Sequence, residues 1–159
     1  MRADLRLELV TPDNVRDACA IDLKPGQERF VESVAQSLAE AYAQPDLAWP
    51  RLIYDRDALV GFVMGGFDPE VPHFRSTLWR LAIAAGHQGR GYGAFAVLGV
   101  AQEARRRGHD VLMTYYVPGE DGPAGFYQRL GFAPTGDLLD GEVQAAASTE
   151  QLLRDNRPA

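Results

Sequence analysis

The segment HQGRGYGA, residues 87–94, is unusual because three glycines alternate within five residues. It lies between an apolar, strand-like run (residues 78–84) and a helix-like run that extends to about residue 107. Glycine destabilises regular structure, so this density indicates a backbone that must turn sharply or approach a ligand closely. A strand that turns through glycines into a helix gathers backbone N–H groups at the positive end of the helix dipole. The segment therefore predicts a site for an anion, in particular a pyrophosphate.

A dinucleotide is one alternative ligand for this loop. Residues 89–94, GRGYGA, satisfy the dinucleotide pattern G-x-G-x-x-[GA]. That pattern normally opens several βαβ units and has an acidic residue at the end of the next strand. Here a single unit follows, and the nearest acid, Asp110, comes before the next strand. A nicotinamide-dependent oxidoreductase is therefore only a minor alternative. The phosphate loop of nucleotide triphosphatases is a third possibility, but it requires Gly-Lys-Ser/Thr, which does not occur in the loop.

Hydrophobic periodicity predicts an α/β fold of the α+β kind, with the order β-α-α-β-β-β-α-β-α-β-β. A mixed sheet with helices on both faces follows from this order. The predicted strands cover residues 4–10, 51–55, 58–67, 75–84, 111–116, 132–138 and about 142–148. The predicted helices cover residues 11–21 with Thr11 as N-cap, 27–42, 91–107 and 124–130. We expect a single domain over residues 1–150 and a frayed C-terminal tail over residues 151–159.

Composition excludes several classes of protein. The net charge of −6 and the pI of about 5.0 argue against nucleic acid as a partner, since phosphate binding requires a basic face. No apolar run is long enough to span a membrane. Cys19 is the single cysteine and no signal-peptide pattern is seen, so we expect a cytoplasmic location.

Two motifs carry a resemblance to a known family. Residues 88–93, Gln-Gly-Arg-Gly-Tyr-Gly, match the acetyl-coenzyme A loop Q/R-x-x-G-x-G/A, and they lie within RLAIAAGHQGRGYG. The second motif is GFYQRLGFAPTGD, residues 125–137, in which a tyrosine precedes a Leu-Gly-Phe turn. On these residues the chain resembles the GNAT superfamily of N-acetyltransferases. The segments QERFVESVAQSLAEAY and VGFVMGG are similar to its bacterial diamine and spermine/spermidine acetyltransferase branch.

The resemblance implies roles for particular residues. The strand before the glycine loop would splay from its neighbour, and the pantetheine arm would pair with its backbone by strand addition. The residues implied in coenzyme A binding are Leu81, Ala82, Ile83, Gln88, Gly89, Arg90, Gly91, Tyr92, Gly93 and Glu120. Gln88 and Arg90 would add side-chain donors to the phosphate site. Glu120 stands where the family commonly has asparagine, and an ionised glutamate only accepts hydrogen bonds.

Tyr127 corresponds to the family's tyrosine, so the resemblance implies that it is catalytic. A phenol with a pKa near 10 can donate a proton to the leaving thiolate. Some relatives carry a glutamate base on the strand before the loop, but residues 75–84 contain no carboxylate, and Trp79 takes that place. We therefore consider Glu28, Glu32, His73 or an ordered water as the base.

The resemblance thus implies an acetyl-CoA-dependent N-acetyltransferase, and we expect no metal. The acceptor would be a primary amine, in particular a polyamine. The candidate substrate-binding residues are Glu28, Glu40 and His73, and either glutamate could bind a cationic amine through its charge. Aminoglycosides, amino acids and protein N-termini remain alternative acceptors, because variable loops set acceptor specificity. A non-catalytic acyl-CoA-binding module is the alternative of a different class. The resemblance is also compatible with a homodimer.

Overall fold

The computed structural model describes residues 4–157, and within them seven strands form one mixed sheet in the order β1-β2-β3-β4-β5-β7-β6. The strands are β1 (Leu5–Glu8), β2 (Ala48–Asp55), β3 (Ala58–Gly66), β4 (Thr77–Ile83), β5 (Val111–Tyr116), β6 (Ala133–Leu139) and β7 (Glu142–Ser148). The helices are α1 (Val15–Cys19), α2 (Val34–Ala43), α3 (Tyr92–Arg106), α4 (Ala124–Leu130) and α5 (Thr149–Asp155). The predicted fold class is confirmed.

The pair β4–β5 is the parallel pair of this sheet, and the neighbouring pairs are antiparallel. Helix α3 connects these two strands, as a crossover between parallel strands requires. Their ladder contains two residue pairs, Thr77 with Met113 and Leu78 with Thr114. Beyond Leu78 the two strands continue without pairing to each other, so the sheet forks, as the resemblance had implied.

Two apolar clusters hold helices against the two faces of the sheet. On one face α3 buries Val97 and Val100 against strand residues such as Leu112. On the other face α1 and α2 cover Phe62 and Met64 of β3. Phe62, Val63 and Met64 alternate between the clusters, because successive side chains of a strand point to opposite faces.

The first predicted helix is shorter than expected, and Thr11 is not its N-cap. Helix α1 begins at Val15, with Asn14 in the capping position. The Asn14 Oδ1 accepts a hydrogen bond from the Thr11 N–H at 2.8 Å, and its Nδ2 donates to the Leu9 carbonyl at 3.1 Å. Asparagine side chains that bond to nearby backbone groups stabilise a turn in preference to a helix. The turn at residues 11–14 therefore replaces the first part of the predicted helix.

The second predicted helix, residues 27–42, is divided in two. Residues Gln27–Arg29 form a single 3₁₀ turn, and α2 begins only at Val34. The Ser33 Oγ accepts from the Gln36 N–H at 3.0 Å and caps α2. Serine satisfies the first free N–H groups of a helix well, and this cap fixes the later start.

The expectation of a frayed C-terminal tail over residues 151–159 is wrong for most of that segment. Residues Thr149–Asp155 form α5, and Leu152 is only 1% exposed in the cluster around α3. The Asn156 Nδ2 donates to the Leu130 carbonyl at 3.0 Å, which fastens the end of α5 to α4. Residues 158–159 lie outside the described residues. The apolar pair Leu152-Leu153 was the sequence signal for this helix.

Strand β7 forms fully, although its Ala-rich sequence has low β-propensity. It pairs with β5 from Val143 to Ser148, and Ala145 and Ala147 are buried in the main cluster. Small side chains suit a strand covered closely by helices. Strand β6 forms the edge of the sheet, is exposed along its whole length, and shifts register between Pro134 and Leu138.

Glu103 is a partly shielded anion near the C-terminal end of α3. Its side chain is 10% exposed and accepts hydrogen bonds from Arg106 and, at 2.7 Å, from Arg107 Nε. The hydrogen bond from Arg106 is the largest cause that lowers the pKa of Glu103 to about 2. A carboxylate with a lowered pKa stabilises the folded state whenever it is ionised.

We predict that Glu103→Gln lowers the free energy of unfolding by about 2 kcal/mol at pH 7. The contribution of Glu103 is complete above pH 4.5 and is lost as the pH falls towards 2, so the difference between wild type and variant should shrink over that range. Urea unfolding at several pH values measures it. Glu150→Gln is the control, because Glu150 is 73% exposed and lies 3.9 Å from Arg154. Equal effects of the two substitutions would contradict the prediction.

Candidate active site

The three glycines of the loop have two different functions in the backbone. Gly89 and Gly91 have φ values of 77° and 86°, in the left-handed region that glycine adopts readily. Gly91 is the N-cap of α3, so the helix begins directly after the turn. Gly93 lies inside the helix, where an added Cβ would be 3.1 Å from Phe126 Cζ. This glycine therefore permits close packing of α3 against α4.

The side chains of Gln88 and Tyr92 anchor the loop on opposite sides. The Gln88 Nε2 donates to the Ile83 carbonyl at 3.0 Å and to Gln27 Oε1 at 2.7 Å. Both N–H groups of the Gln88 amide are thus in use, and the expectation that this amide adds a donor for phosphate is not supported. On the other side the Tyr92 hydroxyl donates to Asp55 Oδ2 at 2.5 Å.

A cleft of about 860 Å³ opens where β4 and β5 diverge. Its walls include segment 27–32, the outer part of β4, the loop before α3, the end of β5 and the first turns of α4. The cleft brings together most of the predicted coenzyme A residues, namely Leu81, Ala82, Ile83, Gln88, Gly89, Gly91, Tyr92 and Gly93. Arg90 and Glu120 are not among the lining residues; Arg90 lies beside a smaller cavity behind Tyr92.

The free edge of β4 faces this cleft. Leu81, Ala82 and Ile83 pair with β3 on one side, opposite Val63, Phe62 and Gly61. On the β5 side they have no strand partner, because that ladder ends at Leu78. Unpaired backbone groups on a strand edge can bind the amides of an extended ligand. An added Cβ at Gly89 would meet no atom within 4 Å, so the backbone of the loop is open at that point.

Tyr127 lies on the wall of the cleft and is 7% exposed. Its ring stacks on Tyr116 with centroids 5.6 Å apart and packs edge-on against Phe126 and Phe132. Burial is the main cause that raises the pKa of Tyr127 to about 12, and a hydrogen bond with Thr114 opposes it. The phenol therefore stays protonated at physiological pH and can act as a proton donor.

Trp79 occupies an irregular position in β4. The pairing with β3 steps from Arg80 opposite Met64 to Leu78 opposite Gly65, so Trp79 is an extra residue in the strand. Such bulges redirect side chains, and Trp79 lines the cleft with its ring edge-on to Phe74 at 5.1 Å.

The other candidate acceptor and base residues are only partly brought together. Glu28 and Glu32 line the cleft. Glu40 is instead paired with Arg80, with Nη2 and Oε2 2.9 Å apart. The His73 side chain is exposed and does not line the cleft, although its carbonyl accepts from Tyr115 at 2.7 Å. Glu40 and His73 are therefore not positioned to contact an acceptor in the cleft.

Several lining residues were not predicted as binding residues from the sequence. Glu142, at the start of β7, reaches the cleft. Phe30, which belonged to the helix predicted over residues 27–42, lies between the 3₁₀ turn and α2 and lines the cleft. His87 also lines it, and its Nδ1 is buried without a hydrogen-bond partner in the described part of the chain. Only its position beside the glycine loop could have indicated His87.

The fold and this cleft agree with the comparison to known families. A model of the GNAT acetyltransferase family matches residues 15–132, which is more than half of the chain. The chain therefore belongs to the GNAT family, and it is an acetyltransferase that uses acetyl-CoA. A sequence comparison with curated proteins gives no match.

Solved structures of acetyltransferases share the fold at low sequence identity. The spermidine N-acetyltransferase of Vibrio cholerae, in complex with CoA and spermine, is 14% identical with a TM-score of 0.71, over 95% of this chain and 99% of that chain. The PaiA N-acetyltransferase of Thermoplasma acidophilum, in complex with coenzyme A, is 11% identical with a TM-score of 0.63, over 91% and 98%. An acetyltransferase of Thermus thermophilus is 22% identical with a TM-score of 0.65, over 92% and 98%.

Residues 4–157 lack both a membrane-spanning helix and a cluster of metal ligands. No helix there combines the length and apolar character needed to cross a membrane. The same residues contain no group of three or more His, Cys, Asp or Glu side chains arranged to hold a metal ion.

We predict that Gly89→Ala weakens coenzyme A binding by about tenfold, because alanine disfavours the left-handed backbone that orients the loop N–H groups. Calorimetric titration with CoA measures the change. Gly108→Ala is a matched control: Gly108 has a φ of 88°, its added Cβ meets nothing within 4 Å, and it lies after the far end of α3. Both variants should lose similar stability, and equal loss of CoA affinity would argue against a specific function of the loop.

Proposed function

We propose that this protein acetylates a small cationic primary amine, such as a polyamine, with acetyl-CoA as donor and Tyr127 as general acid. The observation that carries the proposal is a cleft that combines a buried phenol with unpaired carboxylates and aromatic rings. The fork between β4 and β5 supplies the place for the acetyl donor. The acceptor would enter from the side formed by segment 27–32 and the β6–β7 hairpin.

The charge of the cleft supports a cationic acceptor. Among the residues that the structure describes, three lining carboxylates have no ion-pair partner, and they are Glu28, Glu32 and Glu142. Of the three lining arginines, Arg29 and Arg80 are paired with Asp121 and Glu40. Arg129 has no ion pair among the described residues, so the unpaired carboxylates outnumber the unpaired arginines by three to one. Unpaired carboxylates around a cleft attract amines and raise their local concentration.

Aromatic side chains add a second kind of support. Phe30, Phe74 and Trp79 line the cleft together with Glu28, and the Phe74 and Trp79 rings are in edge-on contact. Ammonium groups bind favourably over aromatic faces, and the aliphatic chain of a polyamine packs well on the same rings. This combination of rings and carboxylates favours a polyamine over an acceptor that carries a carboxylate.

The chemistry would be a direct transfer. The neutral amine nitrogen attacks the thioester carbonyl, the C–S bond breaks, and the sulfur leaves with the electron pair. Tyr127 gives its phenolic proton to that sulfur, and the amine loses a proton to a base. Glu28 and Glu32 are the candidate bases in the cleft, directly or through water.

We expect spermidine, spermine and putrescine to be acetylated faster than amino acids, aminoglycosides or a peptide N-terminus. The release of free thiol from acetyl-CoA measures the rate for each acceptor at equal concentration. Glu28→Gln should raise the KM for the polyamine about tenfold without changing the KM for acetyl-CoA, because it removes an anion from the acceptor side. Preference for an amino acid, or an unchanged KM, would refute the polyamine proposal.

Tyr127→Phe should lower kcat by about 10²-fold or more while CoA binding is retained, because phenylalanine fills the space without a proton. The wild-type rate should not fall with rising pH below about pH 10, since the pKa of Tyr127 is raised to about 12. Rates from pH 6 to 10 test this. Tyr115→Phe is the control, because Tyr115 also lines the cleft but bonds to the His73 carbonyl and Gln144. A variant with normal kcat would remove Tyr127 from catalysis.

A further inference from the structure

The connection between α1 and α2 contains a stretch, residues 22–32, that we call the crossing segment. One end of it is tied to the residues that follow β4. The Ala85 N–H donates to the Asp22 carbonyl at 2.7 Å. The side chains of Gln27 and Gln88 form a reciprocal amide pair, in which Gln88 Nε2 donates at 2.7 Å and Gln27 Nε2 donates at 3.0 Å.

The other end of the crossing segment contacts the loop that follows β5. An added Cβ at Gly119 or at Gly122 would lie 3.2 Å from Phe30 Cε1, so these glycines let the ring pack against the backbone. Arg29 Nη2 lies 3.7 Å from Asp121 Oδ2 in an exposed ion pair. The crossing segment therefore joins the two sides of the fork at a level where no ladder joins β4 to β5.

The same residues form a wall of the cleft. Glu28 lies next to Gln27 in the 3₁₀ turn, and Glu32 lies two residues after Phe30. All four residues line the cleft. Gln88 belongs to the loop that starts α3. The amide pair thus connects the loop on the coenzyme A side to the wall on the acceptor side through two hydrogen bonds. Both bonds need the two planar amides to stay aligned, so a displacement of Gln88 displaces Gln27.

We propose that the Gln27–Gln88 pair couples the two ligand sites. CoA in the fork fixes the loop of residues 85–93, and the amide pair then fixes the crossing segment. The amine consequently binds more tightly. By linkage the amine strengthens CoA binding by the same factor. Gln27 is a positioning residue in this proposal. The proposal rests on the proposed function in one respect, namely that the crossing segment contacts the acceptor.

The first test uses CoA alone and so does not depend on the acceptor. In the wild type, CoA should slow amide hydrogen exchange both in residues 85–93 and in the crossing segment. In Gln27→Ala the slowing should persist in residues 85–93 and disappear from the crossing segment. Gln36→Ala, whose amide bonds to Glu40 on its own helix, should behave like the wild type. Protection of residues 85–93 without any change in residues 22–32 of the wild type would overturn the proposal.

The second test measures the coupling itself. Calorimetry gives the Kd of spermidine with and without saturating CoA, and the ratio should be about tenfold in the wild type. In Gln27→Ala the ratio should approach one, while the Kd of each ligand alone stays within about twofold, which a misfolded variant would not show. A ratio of one in the wild type, or an unchanged ratio in Gln27→Ala, contradicts the coupling. If spermidine does not bind but the exchange result holds, the choice of acceptor fails and the coupling of the loop to the segment stands.

Discussion

The early end of the β4–β5 ladder is the constraint on which the rest of the structure depends. Two residue pairs join these strands, and beyond Leu78 and Thr114 the two strands diverge from each other. Divergence leaves β4 with a free backbone edge, creates the cleft, and places the start of α3 at its rim. It also removes the hydrogen bonds that would otherwise hold the sheet together at this level. The contacts of residues 22–32 with both sides of the fork replace part of that connection.

The two ends of α3 are built in opposite ways. At its N-terminus the backbone turns through Gly89 and Gly91, and residues 91–94 of the first turn line the cleft. Near its C-terminus, Glu103 binds Arg106 and Arg107, and the arginines also complement the helix dipole. Because the C-terminal end of α3 is stabilised in this way, the helix can position its first turn although the preceding loop is rich in glycine. The chemistry of the site is thus separated from the interactions that stabilise the helix.

Local patterns predicted the parts of the fold that local physics determines. Strand Val111–Tyr116 and helix Ala124–Leu130 were predicted to the residue, because turn-forming glycines bound both. Side-chain competition explains the misplaced starts of α1 and α2, where Asn14 and Ser33 capture backbone groups that helical spacing alone does not reveal. Helix α5 was not predicted because its stability comes from tertiary packing. Leu152 is buried in the same cluster as Val97 and Val100, which are distant in the sequence. The loop residues around Gly91 were identified by their motif. No local pattern identifies Gln27, whose partner Gln88 is 61 residues away in the sequence, or Glu142, which reaches the cleft from the β6–β7 hairpin.

The edge strand β6 has a consequence for the behaviour of the protein in concentrated solution. A straight exposed edge with free N–H and C=O groups is a template for pairing with another chain, and it is a common start of aggregation. Here three residues, 135–137, stand opposite Gln144 alone, so the edge bends at its middle. Pro134 has no N–H to offer, and Asp137 places a charge at the bend. An incoming strand could match this edge over only a few residues on either side of the bend, which protects a fully exposed strand from intermolecular β-association.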